Sequence, residues 1–121
     1  MFIEHNENPY NNNMDDCLIR AIAKGTGKPY MEVMDELIDV ADARGWDIDE
    51  LRTGWQYLIS NGWECCELEW GCTVKQYAKV IIEPRIVIVN GHATYTEGGN
   101  VYDTWDCNRY KVKRVFRKCN S

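Results

Sequence analysis

The stretch Asp15-Asp16-Cys17-Leu18-Ile19-Arg20 places one cysteine at the head of an apolar-periodic segment. A thiol at a helix N-terminus meets unpaired backbone N–H groups and the positive end of the helix dipole, and both favour its thiolate. A thiolate becomes a nucleophile when a histidine can exchange protons with it and a carboxylate orients that histidine. Only two histidines are present, His5 and His92. His5 falls in a polar lead-in, where a surface role is expected. His92 follows the apolar run Arg85-Ile86-Val87-Ile88-Val89-Asn90-Gly91 and opens a second strand-like run. A rigid sheet would hold it there, beside a glycine that lets other atoms approach.

Strand register then selects the carboxylate. If Gly98-Gly99 is a two-residue hairpin turn, Glu97 faces Asn100, Thr94 faces Asp103 and His92 faces Trp105. Side chains alternate faces, so His92, Thr94, Val101, Asp103 and Trp105 share one side. Asp103 becomes a diagonal neighbour of His92, and a one-residue slip would offer Asp106 instead. A neighbouring acid fixes the tautomer of a histidine and stabilises its protonated form.

Each residue also has a structural reading. A helical cysteine flanked by apolar residues is commonly core. His92 and Asp103 could be a surface pair on a hairpin. Asp15 and Asp16 oppose a thiolate electrostatically, although Arg20 can pair with Asp16 across one helical turn. Cys65, Cys66, Cys72, Cys107 and Cys119 have no basic partner in sight and read as passive thiols.

The elements that must position these residues are helices first and strands afterwards. Residues 1–14 read as an extended lead-in, and Asp15 or Asp16 can cap the first helix. Leu18, Ile19 and Ile22 give that helix its apolar face, and the following glycines and Pro29 end it. Tyr30, Val33, Met34, Leu37 and Ala41 recur at helical spacing in a second helix closed by Gly45. A third is expected from Asp47, with Asp47 and Glu50 as a capping box and Ile48, Leu51, Trp55, Leu58 and Ile59 as its stripe. The period then shortens. The segment from Trp63 to Trp70 is a candidate strand, and a short helix follows in which Thr73 and Gln76 form a capping box. Four runs rich in β-branched and aromatic residues complete the chain. The expected fold is α+β, with N-terminal helices packed on a C-terminal antiparallel sheet in one domain over residues 1–121.

Composition narrows the function. The 121 residues are 45% hydrophobic and carry a net charge of −5, enough for a real core and not the profile of a disordered acidic chain. The acidic balance argues against nucleic-acid binding. The one basic run, Arg109 to Lys118, reads as an edge strand guarded by lysines. No secretory h-region and no apolar run of about 18 residues is found, so no membrane role and a cytoplasmic location are expected. There the six cysteines would stay thiols. Their spacings contain no C-x-x-C pair, so no metal site is expected. Trp46, Trp55, Trp63 and Trp70 read as core and helix-end residues.

The segments Asp16 to Ala23 and Asn90 to Asp106 resemble the papain-like cysteine peptidase superfamily. They look closest to small bacterial and phage proteins related to double-glycine leader peptidases. In that superfamily the nucleophile opens the first central helix, the histidine opens a sheet strand, and its orienting Asn or Asp lies on the next strand. The resemblance implies a papain-like domain with Cys17 as nucleophile, His92 as general base and acid, and Asp103 as orienter. Asp103-Thr104-Trp105 is similar to the family's Asn-Ser-Trp, which implies that Trp105 shields the pair. The amide six residues before the nucleophile is Asn11, which implies an oxyanion donor there, with Asn12 and Asn13 as competitors. The implied activity is hydrolysis of a peptide or isopeptide bond in a peptide or protein substrate, without a cofactor. Acyl transfer to an amine is the related alternative. An idle papain-like binding module, such as a phage protein that blocks a host factor, is the alternative from another class.

Overall fold

A computed structural model of the chain describes residues 1–6, 16–68 and 70–119. Among them are four helices and a six-stranded sheet, an α+β arrangement. The elements are β1 (Phe2–Glu4), α1 (Cys17–Thr26), α2 (Tyr30–Arg44), α3 (Leu51–Ser60), β2 (Trp63–Cys66), α4 (Val74–Val80), β3 (Arg85–Val89), β4 (His92–Glu97), β5 (Asn100–Asp103) and β6 (Arg114–Lys118).

The strand order is β1-β5-β4-β3-β6-β2. The sheet is mixed, where an antiparallel one was expected. Part of the lead-in is itself a strand: Phe2, Ile3 and Glu4 pair in parallel with Val101, Tyr102 and Asp103. The His5 backbone N–H extends this tie by donating to the Asp103 carbonyl at 2.7 Å. His5 is therefore anchored beside β5 and not on a loose arm. The basic run also sits elsewhere than expected. Its strand β6 lies between β3 and β2, and β2 takes the edge. Alternation alone cannot reveal an edge, because pairing uses backbone groups whatever the side chains are.

Both faces of the central strand β3 are covered, which explains its unbroken apolar run. Ile86 and Ile88 join a core with Ile22, Val33, Leu37, Leu58, Tyr95 and Phe116 from the α1–α3 side. Val87 and Val89 join Val74, Ala78, Val101, Val115 and Cys107 on the α4 side. Ile22, Leu37 and Phe116 are fully buried. Each such side chain contributes about 1.5–3 kcal/mol of burial.

The helix ends follow local chemistry, with one shift. Gly27 and Gly45 close α1 and α2 in the left-handed region. Thr73 and Gln76 make the reciprocal capping box of α4. α3 starts at Leu51, a turn later than Asp47. Glu50 still bonds back to the Asp47 N–H at 3.2 Å, so these residues form a turn that precedes the helix. Within α3, Ile59 is half exposed where a buried stripe position was expected, and Tyr57 is buried. No helix among the described residues is long and apolar enough to cross a membrane.

Candidate active site

The site lies at one end of the sheet, where α1 begins and β4 and β5 meet. Two tight hairpins set it up. Val89 pairs with His92, leaving Asn90-Gly91 as the turn, with Gly91 at φ +75°. Asn-Gly is a strong signal for such a turn, and it fixes His92 as the first residue of its strand. At the other end of β4, Glu97 pairs with Asn100 across Gly98-Gly99, and Tyr95 pairs with Tyr102. This is the register that brings Asp103 next to His92.

His92 Nε2 stands 2.6 Å from Asp103 Oδ2. Both side chains are secluded, at 7% and 3% exposure. Asp103 Oδ1 accepts from the Thr104 N–H at 2.7 Å, and the Arg20 guanidinium lies 3.9 Å away. Burial pushes the Asp103 carboxyl up, but the imidazole, Thr94 and the Thr104 N–H together hold it below the usual range. For His92, burial pulls the pKa down. Donation to the Asp103 carboxylate, the neighbouring Cys107 and Cys17 thiols and the Asp103 charge more than reverse this and push it up to about 11. Trp105 packs on the imidazole with ring centroids 4.5 Å apart, and Tyr110 packs on Trp105 at 5.3 Å.

Cys17 is the first residue of α1 and is half-buried. Its side chain lines the same cleft as His92 and is among the groups that raise the His92 pKa. The Asp16 side chain makes no cap bond. Its buried carboxylate pairs instead with Arg20 and accepts from the Tyr30 hydroxyl at 2.7 Å. The acid beside the thiol is thus balanced by a cation and a donor within the fold. A cleft of about 240 Å³ opens over Cys17 and His92, walled by Leu18, Leu51 and Ile88, with Asp49 at its lining.

Asn11, Asn12 and Asn13 lie outside the described residues. Cys107 is the residue that sequence reasoning missed. Read as a passive thiol with no basic partner, it is fully buried and donates to Asp103 Oδ2 at 3.5 Å. It is also one of the groups acting on His92. No local spacing announces this, because the loop after β5 doubles back to bring Cys107 in. Trp63 is core and Trp55 packs on Phe116, as expected, whereas Trp70 is 40% exposed and stacks on Tyr77.

Comparison with known protein families, curated proteins and solved structures gives no match.

Proposed function

We propose that the chain is a small papain-like cysteine hydrolase that cleaves a peptide or isopeptide bond. The observation that carries this reading is the secluded His92–Asp103 bond at the edge of a cleft that Cys17 and His92 line together. With its pKa raised to about 11, His92 already holds the proton at neutral pH, so Cys17 Sγ attacks the substrate carbonyl carbon as the thiolate of a Cys17–His92 ion pair. His92 then gives that proton to the leaving amine as the C–N bond breaks. Water attacks the resulting thioester, with His92 now as base, and frees the acid and the thiolate. Asp103 keeps the ring aligned throughout, and Trp105 excludes water from their bond.

Among the described residues, the Arg20 N–H makes the first bond of α1, to the Asp16 carbonyl at 2.9 Å. The N–H groups of a helix's first turn have no partner within the helix, and that of Cys17 is the proposed backbone donor to an oxyanion. Asn11 is the proposed side-chain donor.

Alkylation by iodoacetamide at pH 6, read residue by residue by mass spectrometry, tests the nucleophile without knowledge of the substrate. Cys17 is expected to react faster than the other five cysteines, and to slow by at least about tenfold in His92→Gln. Equal rates at all six thiols would remove the hydrolase reading. Retention of biological activity by Cys17→Ser would favour a binding module instead.

A further inference from the structure

The proposed hydrolysis leaves Cys107 unused. Asp103 already receives the imidazole on one oxygen and the Thr104 N–H on the other. A buried apolar residue would pack against Val101 and Val112 as readily as this thiol does. Yet Cys107 Sγ, an Asp103 oxygen and a ring nitrogen of His92 lie mutually within 4.8 Å, all three side chains secluded.

We propose that this cluster binds a thiophilic divalent cation of the zinc class, and that the bound ion switches the acyl chemistry off. The ligand set is a thiolate, an imidazole and a carboxylate, which suits zinc better than the all-oxygen cations magnesium and calcium. The distances are close to what a tetrahedral ion needs. Bonds of about 2.3 Å to sulfur and about 2.0 Å to nitrogen and oxygen put sulfur and oxygen about 3.5 Å apart, and nitrogen and oxygen about 3.3 Å apart. The Cys107–Asp103 separation is 3.5 Å, and the His92–Asp103 separation of 2.6 Å has only to open by less than an ångström. A fourth position is left to water.

Binding replaces the Cys107 S–H proton and the proton shared by His92 and Asp103, and both leave to solvent. A His92 nitrogen held by the ion no longer aligns on Asp103, so the ring loses its orienter. The inhibitory half of the proposal rests on the hydrolase reading; the binding half does not.

The test is titration of the chelator-treated protein with cadmium, read by the ultraviolet band of a cadmium–thiolate bond, and with zinc against a chromogenic chelator. One ion per chain is expected. Cys107→Ala, which suits its apolar surroundings, and His92→Gln should each weaken binding more than about tenfold. The double variant Cys65→Ser/Cys119→Ser, which alters thiols away from the cluster, should leave it unchanged. Circular dichroism verifies that each variant is folded. In the unsubstituted chain, zinc should also raise the melting temperature reversibly. Binding that survives both Cys107→Ala and His92→Gln would overturn the proposal, as would the absence of a cadmium–thiolate band. If Cys17 alkylates rapidly but no ion binds, only the metal site falls. If an ion binds but Cys17 is unreactive, only the hydrolase reading and the inhibition fall.

Discussion

The imidazole of His92 and the carboxylate of Asp103 form a bond of 2.6 Å inside the protein, on adjacent strands joined by a two-glycine turn. A pair so secluded is sensitive to the loss of either member. Asp103→Ala leaves the imidazole buried without its main partner, and a loss of about 3 kcal/mol is expected. Urea unfolding measures it. The same variant should slow Cys17 alkylation, and an unchanged stability would mean that the pair is solvated.

The pair also sets a pH window. His92 has its pKa raised on folding, with the cost of burial outweighed by Asp103, Cys107 and Cys17. Its contribution is therefore complete below the ordinary histidine value of about 6.5 and is lost as pH climbs toward the folded value. Asp103 is lowered on folding, burial again being outweighed by the imidazole and its hydrogen-bond donors. Its contribution is complete above the ordinary value of about 4 and is lost as pH falls. Melting temperature, measured with chelator present, should plateau from about pH 4 to about 6.5 and decline on either side. His92→Gln should flatten the alkaline decline. An identical alkaline slope in that variant would assign the decline to other groups.

Tyr30→Phe deletes the hydroxyl that donates to the buried Asp16 carboxylate at 2.7 Å. A hydrogen bond to a charged group of this kind is worth about 2 kcal/mol. The variant should melt earlier and should perturb Cys17, the next residue along. An unshifted melting curve would show that Arg20 alone satisfies Asp16.

Gly54 marks the close approach of α3 to α1. A β-carbon there would come within 2.5 Å of Leu18 Cδ2 and 3.0 Å of its Cγ. Gly→Ala in a helix interior normally stabilises by about 1 kcal/mol. Here overpacking should win, giving a net loss and a slower Cys17 alkylation because Leu18 adjoins Cys17. A more stable Gly54→Ala protein would show that Leu18 moves aside freely.

Much of this arrangement is legible in the chain itself. Helical spacing, the glycines after α1 and α2 and the Thr73–Gln76 box are local properties, so the helices can be read directly. The two-residue turn at Gly98-Gly99 fixes the β4–β5 register, and with it the neighbourhood of His92 and Asp103. What stayed hidden depends on contacts that no local spacing announces. The pairing of β1 with β5 and the interior position of β6 are choices among backbone partners that side-chain pattern does not encode. The three-residue strand β1 is too short to declare a period. Cys107 reaches the site only through the path of the loop after β5, and Asp16 finds Tyr30 only because α2 packs on α1. The sequence by itself determined which residues could do chemistry and two of their neighbours. The tertiary structure decided which further groups share their buried space, because burial and proximity arise from the packing of whole elements against one another.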